Sequence, residues 1–88
     1  MKITKHDLEM IVIRINSITD SPEESYIRDN NGGLHAQVGN YHLDWAYGGV
    51  KLCRMVNENG GVTTIIDGYQ TKRELYNSMQ AFISGLTT

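Results

Sequence analysis

The chain has 88 residues, 40% of them apolar and 20% charged, a composition that suits one folded domain over residues 1–88 rather than a disordered segment. Eight basic and ten acidic residues leave a formal charge of −2 spread along the sequence, with neither the Lys/Arg stripe of a nucleic-acid binder nor the dense acidity of a DNA mimic. Cys53 is the only cysteine, which excludes an internal disulfide framework, and no apolar run reaches the length of about 18 that a membrane span requires.

The opening Met1–Asp7 lacks the apolar stretch of a secretory leader, so a reducing cytoplasm is the expected compartment. Thr4 is placed to cap a helix, with Asp7 in the third position. Leu8, Ile11, Val12, Ile15 and Ile18 then recur at the spacing of one helix face, and Glu9, Arg14 and Asn16 fall on the other. Met10 and Ile13 widen the apolar stripe beyond one flank, toward either a second packing surface or a partner chain, and are candidate partner contacts. Asp20-Ser21-Pro22 is expected to stop the helix. Residues 20–33 show little periodicity and end in Asn30-Asn31-Gly32-Gly33. A loop this long in so small a domain is expected to be functional or mobile, unless Tyr26 to Arg28 adds an edge strand.

The centre reads as β structure. Tyr41, Leu43, Trp45 and Tyr47 alternate with His42, Asp44 and Ala46. If Gly48-Gly49 form the turn, Tyr47 pairs with Val50, Trp45 with Leu52, Leu43 with Arg54 and Tyr41 with Val56. The aromatic row is then expected to be core beneath the helices, and His42, Asp44, Lys51, Cys53 and Met55 a polar, solvent-facing surface. Asn57 to Gly61 makes a second turn and Val62 to Asp67 a third strand, while Leu34 to Val38 could pair as a fourth. Thr71-Lys72-Arg73-Glu74 is a capping box, after which Leu75, Met79, Phe82, Ile83 and Leu86 line one face of a second helix. The expected fold is α+β, in the order α-β-β-β-α, with two helices on one face of a three- to four-stranded antiparallel sheet.

Chemistry-bearing groupings are sparse. His42, Asp44 and Cys53 share one face, with Asp44 opposite Cys53, and a thiolate, imidazole and carboxylate within reach of one another is what a covalent hydrolase needs. No oxyanion donors accompany them, so a half-polar sheet surface is the better reading. His6, His35, His42 and Cys53 show no metal-ligand spacing. The glycine pairs at 32–33, 48–49 and 60–61 suit hairpin turns better than a phosphate loop, which would lie between a strand and a helix. Neither a metal nor a cofactor is expected, and no catalytic residue is assigned. Tyr69, Tyr76, Lys72 and Arg73, around the start of the second helix, are further candidate partner contacts.

Two resemblances add to this reading. The element order followed by Thr71-Lys72-Arg73-Glu74 is similar to the double-stranded-RNA-binding domain, whose second helix opens with basic residues that grip phosphates. This chain continues Glu74-Leu75-Tyr76-Asn77 instead of adding lysines. The alternative function it implies is a nucleic-acid-binding module using Lys72, Arg73, Lys51 and Arg54. Separately, Tyr41 to Gly49 with Leu52, Arg54, Asn57, Gly60 and Gly61, then Thr71 to Tyr76 and Ala81 to Leu86, resembles a family of small accessory proteins of tailed bacteriophages and prophages. That resemblance spans about residues 40–86. It implies a phage origin and action in the cytoplasm of an infected bacterium, and it carries no assigned activity. The missing chemistry, the small size, the apolar width of the first helix and the loop at 20–33 lead to the expectation of a non-enzymatic protein that binds a host or phage macromolecule, for example as an inhibitor of a host or defence protein. A protein partner and a homodimer are the expected associations.

Overall fold

The structure is a computed structural model and describes residues 2–66 and 68–87. The elements are α1 (Lys5–Ile18), β1 (Tyr26–Arg28), β2 (Leu34–Ala36), β3 (Tyr41–Ala46), β4 (Gly49–Met55), β5 (Val62–Thr64) and α2 (Lys72–Thr87). The class is α+β, but the β structure forms two antiparallel sheets rather than one. A ribbon pairs β1 with β2, and a three-stranded sheet runs β3-β4-β5. The expected third strand to Asp67 ends at Thr64, and Asp67 lies outside the described residues. No helix among the described residues is long and apolar enough to cross a membrane.

Both helices begin with reciprocal caps. The Thr4 hydroxyl accepts the Asp7 N–H at 3.2 Å, and the Asp7 carboxylate accepts the Thr4 N–H at 2.9 Å. Thr71 and Glu74 repeat the exchange at 3.1 and 3.0 Å. These backbone and hydroxyl donors favour the ionised acids and hold both carboxyls below their ordinary values. The helix α1 ends before Pro22 is reached, because Asp20 takes a left-handed φ of 54° that turns the chain out of it.

The core lies between the helices and one face of the larger sheet. Leu8, Ile11, Val12 and Ile15 of α1 and Leu75, Met79 and Ile83 of α2 meet Tyr41, Val50 and Leu52, with Ile3 beside them. Fully burying such a side chain stabilises by roughly 1.5–3 kcal/mol. Ile18 and Leu86, expected on these faces, are partly exposed at the helix ends.

The β3–β4 register differs from expectation by two residues. Trp45 pairs with Val50, Leu43 with Leu52 and Tyr41 with Arg54, because the turn is Tyr47-Gly48 and Gly49 already belongs to β4. Tyr47 and Gly48 have φ of 54° and 72°, the two positive values a type I′ hairpin requires. A shift of two keeps every side chain on its face. Tyr41 and Trp45 therefore still point toward the helices, but only Tyr41 is core. Trp45 is 40% exposed, and Tyr47, displaced into the turn, is 92% exposed.

The segment 20–33 is held by local hydrogen bonds. The Asp29 carboxylate accepts the N–H groups of Asn31 and Gly33 at 2.9 and 2.7 Å and meets His35 Nε2 at 2.6 Å. Those contacts, His35 foremost, hold the Asp29 carboxyl below its ordinary value. Asn57 makes the same turn between β4 and β5, accepting from Asn59 and Gly61 at 3.0 and 2.9 Å.

Candidate functional site

A concave surface lies where α1 overhangs the outer edge of β3. These two elements run antiparallel: Asn16, near the C-terminus of α1, meets Tyr41 at the start of β3, and the Lys5 ammonium sits 5.9 Å from the Trp45 ring at the other end. The stripe Lys5, Glu9, Val12, Ile13 forms one wall of a concavity of about 300 Å³. Its floor is Tyr41, His42, Leu43 and Trp45, and Glu23 and Ser25 close the end near His42. Ile13 is 48% exposed and Met10, one turn away on α1, is 51% exposed.

Beneath this wall β3 is the last strand of its sheet. Asn16 is buried rather than on the solvent side of α1, and its amide acts as a short substitute strand. The Asn16 amide donates to Tyr41 O at 3.0 Å and accepts the Tyr41 N–H at 2.8 Å. Tyr41 therefore presents its backbone groups away from β4. Along a strand this orientation recurs every second residue, so Leu43 and Trp45 present theirs the same way. Their partners on β4 agree: Leu52 O accepts from Ile65 on the far side, and Val50 exchanges two bonds of 2.9 Å with Gln70. No group among the described residues pairs with the outward N–H and C=O of Leu43 and Trp45. The result is a free backbone edge two alternate residues long, roofed by the α1 stripe of Val12 and Ile13 flanked by Lys5 and Glu9.

The opposite face of the sheet does not assemble a catalytic trio. His42, not Asp44, lies across from Cys53, and Asp44 lies across from Lys51. Asp44 Oδ2 accepts the Tyr69 hydroxyl at 2.6 Å and stands 4.0 Å from Lys51 Nζ. That hydrogen bond, with burial and the Asp44 charge, pushes the Tyr69 pKa up to about 12. Burial raises the Cys53 thiol and lowers His42, so both sit in their neutral forms at neutral pH. Cys53 and Met55 are buried, so this face is not the open polar surface expected. The group is better described as a Tyr69–Asp44–Lys51 cluster, with Lys51 over the Tyr69 ring at 4.7 Å and Tyr47 edge-on to it at 5.3 Å.

The remaining candidates are dispersed. Lys72 and Arg73 are exposed at the start of α2, while Tyr76 packs partly into the core and Tyr69 is committed to Asp44. Lys51 and Arg54 point to opposite faces of β4, and Arg54 lies over the Tyr41 ring at 5.2 Å. His6 and His35 are exposed, with His35 on Asp29, and no cluster of metal-ligating side chains exists among the described residues. Comparison of the chain with protein-family models, curated proteins and solved structures gives no match.

Proposed function

We propose that this is a small non-enzymatic binding protein of the tailed-phage or prophage accessory kind, acting in the bacterial cytoplasm by attaching to a protein partner such as a host or defence protein. The observation that carries this reading is the α1/β3 groove. It combines exposed Ile13 and Trp45, with Met10 beside them on α1, with an unpaired strand edge, whereas the Tyr69–Asp44 and Asp29–His35 pairs elsewhere are engaged in structural contacts. Of the basic residues of the nucleic-acid alternative, Arg54 faces away from Lys51 and packs over the Tyr41 ring, and the net charge is −2, which gives it less support.

The test is affinity capture from infected cells after nuclease treatment, with the wild-type protein and Ile13→Asp side by side. Ile13 is half-exposed, so the substitution should change stability by no more than about 0.5–1 kcal/mol while placing a charge in the groove. The expected result is a protein partner held by the wild type and lost by the variant. Material that disappears with nuclease, or a partner held equally by both proteins, contradicts the proposal.

A further inference from the structure

We infer that the outer edge of β3 takes an extended peptide segment of the partner as an added antiparallel strand, apolar opposite Leu43 and Trp45 and basic at the residue between them. This rests on the protein-binding reading above and specifies its chemistry.

The backbone of β3 defines the register. Residues whose N–H and C=O face outward exchange two hydrogen bonds each with an antiparallel neighbour. Leu43 and Trp45 are in that state, and Tyr41 is already taken by Asn16. An added strand therefore pairs at two alternate residues and stops at Asn16. The side chains of those two ligand residues share the face of Leu43 and Trp45, where Val12 and Ile13 line the groove. Apolar side chains suit that position. The ligand residue between them faces Asp44, whose Oδ1 is unengaged among the described residues, and the next residue reaches toward His42 and Glu23. Opposite charges directly across strands attract, so a basic residue suits the place across from Asp44, and the Glu23 carboxylate beside the next place favours a second one. The carboxylates of Glu9, Glu23 and Asp44 outnumber the ammonium groups of Lys5 and Lys51 around this edge.

A second copy of this chain is a poorer occupant of the same edge. Pairing Leu43 of one copy with Trp45 of the other sets Asp44 directly across from Asp44, a like-charge pair.

The probe is the blocked peptide acetyl-Thr-Val-Lys-Val-Lys-Thr-amide, titrated into isotopically labelled full-length protein and followed by amide shifts and hydrogen exchange. Two controls carry the same length: one with both valines N-methylated, the other with both lysines replaced by glutamate. Binding should shift Leu43 and Trp45 and slow exchange of their amides. Removing two backbone donors should weaken binding by about thirtyfold, and the glutamate peptide should also bind more weakly. Absence of binding, or equal affinity for the N-methylated peptide, overturns the inference. So does protection of Leu43 and Trp45 that rises with protein concentration alone, which would put a second copy on the edge. If a partner is captured as above while the peptide leaves these amides unmoved, strand addition fails and the protein-binding reading stands. If neither is seen, both fail.

Discussion

The two ends of the β3 edge solve the same problem differently. At Tyr41 the outward backbone groups are met by the Asn16 amide and the ring is buried against α1 and α2. Two alternate residues further on, at Leu43 and Trp45, the same groups face an open groove and the indole is 40% exposed. Proteins usually cover or blunt a strand edge because it invites pairing with another chain. Here one helix does both jobs: its core-facing side closes one end, and its overhang leaves the other end accessible but sheltered. The closed end holds the fold, and the open end is where binding capacity lies.

The difference should show most strongly in truncations. Tyr41→Ala should cost about 3–5 kcal/mol, a large share of the roughly 4–13 kcal/mol expected for a domain of this size, whereas Trp45→Ala should cost about 1–2 kcal/mol. Urea denaturation of the two variants checks this, and equal losses would erase the distinction between the ends. Asn16→Ala comes next, at about 2–4 kcal/mol, because it removes two hydrogen bonds and orphans two backbone groups of Tyr41. A neutral outcome would mean that water replaces the Asn16 amide without loss and that the lock is not one.

Acid supplies the smallest and sharpest contrast. Asp7, Asp29 and Glu74 have folded pKa values below their ordinary 3.8, 3.8 and 4.5, so their contribution is present above those values and is lost as pH falls through the lowered ones. The denaturation midpoint should therefore decline in that acid range. Asn16 does not titrate, so the protection of the Tyr41 amide relative to the global value should persist. Asp29→Asn should flatten part of the acid decline, since Asn57 already builds the same turn between β4 and β5 with a neutral amide. An unchanged acid profile would remove Asp29 from this account.

Much of the scaffold was legible in the sequence because it is local. The two capping boxes, the apolar faces of α1 and α2 and the alternation through β3 each depend on residues a few positions apart, and each is realised. The register was not, because Gly48-Gly49 attracts the turn while the backbone places it at Tyr47-Gly48. The turns at Asp29 and Asn57 share the pattern Asx-x-Asn-Gly-Gly, a repeat whose glycines were read and whose leading side chains were not. Asn16 is the informative miss. A polar residue in a helix reads as solvent-facing, yet it lies four residues after Val12, on the buried stripe. What it binds, a strand edge 25 residues away, is non-local and leaves no trace in periodicity. The open edge beside it was hidden for the same reason: it is defined by which strand lies last in the sheet.

The most direct measurement of that edge is hydrogen exchange of individual amides in the free protein. The opening free energy should be near zero at Leu43 and Trp45 and should approach the global value at Tyr41 and across the β3–β4 ladder at His42 and Asp44. Protection of Leu43 and Trp45 equal to that of Tyr41, at low protein concentration and without ligand, would contradict the account.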